Sequence, residues 1–215
     1  MTRTELINRH RVLWPRKSFQ IFVAISVGFF ILSALANFYA GTYATNHASS
    51  AVSDIILSNI PVFDVGGLFV YGAVALIIFI AVALLIDPRR IPFTLNTLAL
   101  LILVRSLFIT LTHIGPFPNQ TPLDLGAVTS KFIFGGDLFF SNHTAIPFIL
   151  ALLFWDEKAL RYAFLLWSFF FGITALMGHL HYSIDVLSAY FITYTVYCIA
   201  QRLFPSSRAL FSSAY

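Results

Sequence analysis

The sequence predicts an all-α integral membrane protein, a bundle of six transmembrane helices with both termini cytoplasmic. Three observations predict it. Of 215 residues, 59% are hydrophobic and only 10% charged, against about 25% charged in soluble domains, and the mean hydropathy is +0.85. Six stretches approach the roughly 20 apolar residues that cross a bilayer. The basic residues, finally, fall almost entirely on one side of the spans so defined.

The chain opens on "MTRTELINRHRVLWPRK", a basic cytoplasmic segment over residues 1–17. Residues 4–14 suit either a short helix on the membrane surface or a disordered basic tail. The apolar run behind them is too long for a signal-peptide core and reads as a retained anchor helix. The membrane domain covers residues 18–204, with spans at 18–39, 66–86, 92–113, 138–155, 159–177 and 184–204. A cytoplasmic tail follows at 205–215. Polar or Gly/Pro-bearing connections separate the spans, among them "DPRRIP", "GPFPNQTPLDLG" and "WDEK".

Arg3, Arg9, Arg11, Arg16 and Lys17 precede the first span, and Arg89 and Arg90 follow the second. Lys158 and Arg161 separate the fourth and fifth, and Arg202 and Arg208 end or follow the sixth. The positive-inside rule makes their side cytoplasmic. The other side has Lys131, and Arg105 is left inside the third span. Cys198 is the only cysteine, which excludes an intrachain disulfide and any CxxC motif. The basic residues do not alternate with exposed aromatics, so no nucleic-acid partner is expected.

Polar residues converge at two outer helix starts. "GGDLFFSNHT" brings Asp137, Ser141, Asn142 and His143 to the start of span four, and "GHLHYSIDV" brings His179, His181 and Asp185 to the start of span six. His181 and Asp185 are four apart and share a helix face. A carboxylate one turn from an imidazole accepts its N–H, fixes the tautomer and leaves the other nitrogen free to attack. The alternative is that Asp185 only N-caps span six. Arg105 interrupts "LALLILVRSLFITL" about two turns below the outer end of span three. A charge there costs about 2.5 kcal/mol or more on insertion scales and marks function by default. It either grips a phosphate bidentately, snorkels outward or pairs with a buried aspartate. Gly135 and Gly136 allow backbone N–H groups to turn toward an anion before a helix start, and the Ser141 hydroxyl can serve the same anion. Arg105, Ser141, Asp137, Gly136, Asn142 and His179 are therefore the candidate phosphate- and substrate-binding residues.

"GGDLFFSNHT" followed by "HLHYSIDVLSAYFIT" resembles the two signature blocks of the sphingomyelin synthase family, a branch of the type 2 phosphatidic acid phosphatase superfamily. "RSLFITLTHIGPFP" is similar to that family's Arg-containing segment before a Pro-rich outer loop. The likeness covers residues 100–200. It implies a His–His–Asp triad at His143, His181 and Asp185. His181 would attack phosphorus while Asp185 holds its ring, and His143 would protonate the departing lipid alkoxide and then deprotonate the acceptor hydroxyl. The implied phosphohistidine needs no metal and no cofactor. Arg105, Ser141 and amides near Gly136 would stabilise charge on the phosphoryl oxygens. Two departures stand out. Ser141-Asn142-His143-Thr144 replaces the family's Ser-Gly-His-Thr, with Asn tolerant of left-handed geometry. The Lys-x6-Arg-Pro block of ordinary lipid phosphatases is missing.

The leading expectation is a membrane-embedded phosphotransferase moving a phospho-headgroup from a phospholipid donor to a lipid alcohol acceptor such as ceramide or diacylglycerol. Its active site would lie on the non-cytoplasmic side. A lipid phosphatase or phospholipase C-type hydrolase using the same residues is the nearest alternative. A zinc site of His179, His181, Asp185 and His143 has ligand-like spacing, and a non-catalytic scaffold would explain the spans but not the polar cluster.

Overall fold

The structure, a computed structural model, describes residues 3–123 and 135–212. Lys131, the outer basic residue, lies outside them, as do residues 124–126 of the Pro-rich connection and the two extreme termini. Eight α-helices lie among the described residues: α1 (Arg3–Leu13), α2 (Lys17–Asn46), α3 (Gly66–Ile86), α4 (Ile91–Leu111), α5 (Asn142–Leu153), α6 (Lys158–Met177), α7 (Ser183–Leu203) and α8 (Pro205–Ser212). Five helical stretches are long and apolar enough to cross a membrane: Lys17–Asn46, Gly66–Ile86, Pro88–Leu111, Lys158–Met177 and Ser183–Leu203. By length and composition this is a multi-pass membrane protein.

The packing agrees with lipid as solvent. Ile25, Leu32, Leu68, Ile77, Leu187 and Phe191 are exposed, whereas the inward stripe of α2 is small or polar beyond Phe19. That stripe places Phe19, Ser26, Ser33 and Ala40 at seven-residue intervals, followed by Ala44. Small side chains let α2 lie close along α4, its most extensive partner. Ala40, Gly41 and Ala44 continue the stripe, so the helix runs to Asn46, beyond the predicted end at residue 39.

The fourth predicted span differs most from expectation. Only Asn142–Leu153, 12 residues, is helical. That is about 18 Å of helix, short of a hydrocarbon core about 30 Å thick. Residues 138–141 are non-helical because other elements satisfy their backbone. Arg105 Nε donates to the Phe140 carbonyl at 2.8 Å, and the Ser141 amide donates to the Asp185 carbonyl at 3.2 Å. Irregular backbone at membrane depth is tolerated under such cover. The result is a helix start held against the first turn of α7.

At one end of the bundle α1 closes the last turn of α3. His10 Nε2 donates to the Leu85 carbonyl at 2.7 Å, and Arg9 donates to the Ile86 carbonyl at 3.3 Å. These are carbonyls a helix terminus leaves without intrahelical partners. Arg89 and Arg90 bracket the buried Asp87 at 2.7 and 3.0 Å, and Arg90 also pairs with Glu157. Within the segment read as a tail, Pro205–Ser212 forms α8. Pro205 starts it, a position where a missing N–H costs nothing. Phe211 packs on Phe93 and Phe154, with centroids 5.7 and 5.6 Å away, and Ser207, one turn earlier on the same face, is buried.

At the opposite end the connections are stitched by backbone hydrogen bonds: Ser49 N to His113 O at 2.8 Å, Phe63 N to Met177 O at 2.9 Å, and Thr121 N to Gly178 O at 2.9 Å.

Candidate active site

The N-terminus of α7 builds one half of the site. The Tyr182 amide donates to Asp185 Oδ2 at 2.9 Å, so Asp185 does cap the helix, reaching back from its first turn. The same oxygen lies 3.6 Å from His181 Nδ1, too far for a hydrogen bond. Nδ1 instead bonds the Leu138 carbonyl at 2.9 Å. This corrects the expectation that Asp185 accepts the ring N–H. A carbonyl only accepts, so Nδ1 carries a proton, and in the neutral ring Nε2 is the nitrogen with the lone pair. The Asp185 side chain, fully buried, lies beside the ring without supplying its orienting bond.

The start of α5 builds the other half. The His143 ring is held between Phe69 and Phe171, with centroids 4.1 and 5.5 Å away. His143 and His181 line one cavity of about 610 Å³, together with Arg105, Asp137 and Asn142. Much of its remaining wall is apolar, with Phe69, Val74 and Ile77 from α3 and Ile102 from α4. Asn142 is an ordinary helical residue, so its tolerance of left-handed geometry is not used. Among the described residues its Oδ1 is buried without a hydrogen-bond partner.

Arg105 is 3% exposed and makes five hydrogen bonds. Nε goes to the Phe140 carbonyl, Nη1 to Asn37 Oδ1 and Asp137 Oδ2, and Nη2 to the Asp137 carbonyl and Asp137 Oδ2. Pairing with an aspartate, one of the roles set out from the sequence, is the arrangement present. Arg105 and Asp137 both face the cavity, but each is already engaged by the other. The guanidinium thereby pins residues 137–140, and with them the Leu138 carbonyl that orients His181.

Three candidate residues lie away from the cavity wall. Ser141 is fully buried, and its Oγ accepts from the Thr144 hydroxyl at 3.2 Å. The Gly136 amide donates to Thr45 Oγ1 at 3.2 Å, not toward an anion. Glycine is needed there because a Cβ would meet Thr45 Cα at 2.7 Å and the Ala44 carbonyl at 2.8 Å. His179, at φ 55°, turns its buried ring edge-on to Phe117, with centroids 5.2 Å away. Among the described residues no three His, Cys, Asp or Glu side chains are grouped to hold a metal, so the four-residue zinc arrangement is not assembled.

Sequence reasoning missed Asp54. From the first outer connection, its Oδ2 accepts from the Ser183 amide and hydroxyl, both at 2.7 Å, capping α7 beside His181. Its Oδ1 accepts from the Ile56 and Leu57 amides at 2.8 and 3.0 Å. Burial pushes its carboxyl up, but these four donors outweigh that and hold it below the ordinary carboxylate value. The stabilisation is complete above that ordinary value and is lost as pH falls through the native one. The unfolding midpoint is therefore expected to drop below about pH 4, and Asp54→Asn to flatten that acid limb. Asp54→Ala should cost about 1–2 kcal/mol at neutral pH, measured by thermal unfolding in detergent. Asn37 was also missed, although a carboxamide far along the apolar run of span one was a visible signal. The Leu138 carbonyl carried no signal at all.

No curated protein and no solved structure matched the chain. Residues 135–202, which begin beside Arg105 and contain His143, His181 and Asp185, match the family described as PAP2 superfamily C-terminal. The similarity to this family is confined to that segment, which carries α5, α6 and nearly all of α7.

Proposed function

We propose that the protein is a lipid phosphotransferase of the sphingomyelin synthase type. It moves a phospho-headgroup from a glycerophospholipid to ceramide or diacylglycerol, without a metal. The observation that carries this reading is the His181 ring. Its Nδ1 proton is committed to the Leu138 carbonyl at 2.9 Å, which leaves Nε2 as the nucleophilic nitrogen of a ring that shares a cavity with His143. Nε2 attacks phosphorus, the P–N bond forms, and the P–O bond to the diacylglycerol breaks. Protonated His143 delivers its proton to the departing oxygen. His143 then takes the proton of the acceptor hydroxyl, whose oxygen attacks phosphorus and releases His181. Asp185 balances the positive charge on the phosphorylated ring. Arg105 acts chiefly by fixing residues 137–140, and Asn142 Oδ1 offers an acceptor to a substrate hydroxyl.

The apolar wall from α3 favours a lipid acceptor over water. We place α5 as a short fourth span, giving six spans with cytoplasmic termini and the site on the non-cytoplasmic side. The clustering of α1, Arg89, Arg90 and α8 at the end away from His181 supports this topology under the positive-inside rule.

The test uses purified protein in lipid–detergent micelles with headgroup-labelled phosphatidylcholine or phosphatidylethanolamine, with and without ceramide or diacylglycerol. Label in a new lipid supports transfer; water-soluble label alone replaces it with hydrolysis. Asp185→Asn separates orientation from charge. Where a carboxylate alone fixes the tautomer, its amide costs about 10⁴-fold. Here the Leu138 carbonyl retains the tautomer, so a loss of only about 10- to 100-fold in kcat is expected.

A further inference from the structure

A second cavity, of about 450 Å³, lies at the opposite end of the molecule from His181, and nothing in the proposed reaction uses it. It is within the range of small-molecule sites. Its lining is regular. Tyr194, Tyr197 and Gln201 recur on one face of α7, and Arg208 and Phe211 on one face of α8, while Trp155 and Asp156 come from the turn after α5. Leu152, Leu153 and Phe93 supply apolar surface. Among the described residues neither the Arg208 nor the Asp156 side chain has a hydrogen-bonding or ion-pair partner, and both are exposed. A cation and an anion thus share a cavity with Tyr194 and Tyr197, while the Trp155 ring is already stacked against Arg161.

We infer that this cavity is a binding site for the headgroup of a zwitterionic phospholipid in the leaflet at the α1–α8 end. Arg208 would take the phosphate, for which a guanidinium fork is suited. Asp156 and the faces of Tyr194 and Tyr197 would take the ammonium, and the leucines would meet the glycerol and upper acyl chains. An anionic headgroup lacking an ammonium satisfies Arg208 but is repelled by Asp156. The charge pair therefore selects against it. This inference is independent of the reaction at His181.

Selectivity is the readout. The full chain is equilibrated with dioleoylphosphatidylethanolamine or dioleoylphosphatidylglycerol in detergent, and retained lipid is counted by native mass spectrometry. Arg208→Gln should weaken retention of both lipids about fivefold, with Arg208→Lys partly restoring it. Asp156→Asn should weaken the ethanolamine lipid by a similar factor while leaving or raising retention of the glycerol lipid. If both variants bind both lipids as the wild type does, or if Asp156→Asn weakens the two equally, the site is refuted. Displacement by soluble phosphoethanolamine at equal concentration would also refute it, since the apolar floor would then contribute nothing. Both positions are exposed, and headgroup turnover at His181 should be unchanged in each variant, which reports that the fold is intact.

Discussion

His181→Ala is expected to lower headgroup transfer by at least about 10³-fold, the scale on which loss of a covalent nucleophile is felt. The fold should survive, because the ring makes one hydrogen bond, to the Leu138 carbonyl. That carbonyl can be reached by water from the cavity that His181 lines. His143→Ala should also be slow, by about 10²–10⁴-fold, as expected for loss of a general acid–base. The two variants separate when the leaving group changes. An aryl phosphoester departs without a proton, so it should restore much of the first step in His143→Ala and none in His181→Ala. Acid quench of the wild type should trap an acid-labile phosphoprotein that His181→Ala lacks. Equal rescue of both variants, or a phosphoprotein that persists without His181, would reassign the nucleophile.

Arg105→Met is expected to destabilise the protein by about 3–5 kcal/mol, the usual consequence of removing one partner from a buried ion pair. Asp137, Asn37 and two backbone carbonyls lose their donor together. Asp137→Leu should be at least as damaging. It strands a guanidinium that is 3% exposed, whereas the Asp137 side chain is 20% exposed. The double variant should recover part of the loss, and the double-mutant cycle measures the coupling. Arg105→Lys should fall between, since a point ammonium cannot reproduce five forked donors. Unfolding in detergent at several temperatures reads all four proteins. If Arg105→Met abolished turnover with stability unchanged, the guanidinium would belong to the substrate and not to residues 137–140.

The sequence by itself determined the class of molecule and the chemistry-bearing side chains. Hydropathy located α3 at the residues predicted, because a helix in lipid needs only its length and its apolarity. Spacing brought His181 and Asp185 to one helix start, although His181 precedes the helix, which begins at Ser183, and only Asp185 lies in its first turn. The lone Arg105 identified itself by the cost of its burial. Tertiary structure decided what those side chains do to each other. Whether Arg105 met a phosphate or an aspartate depended on how far residues 137–140 descend along α4, and no local pattern encodes that depth. The orienting partner of His181 is a main-chain carbonyl, which every residue has and none advertises. Asp54 reaches α7 from more than a hundred residues away, so its role exists only once the outer connections are brought together. Gly136 and Ser141 have suitable chemistry for an anion, but Thr45 of α2 and the neighbouring Thr144 engage them first, and the His179 ring packs on Phe117, off the cavity wall. Composition selects the candidates, and the competition among neighbours for each donor and acceptor selects the site.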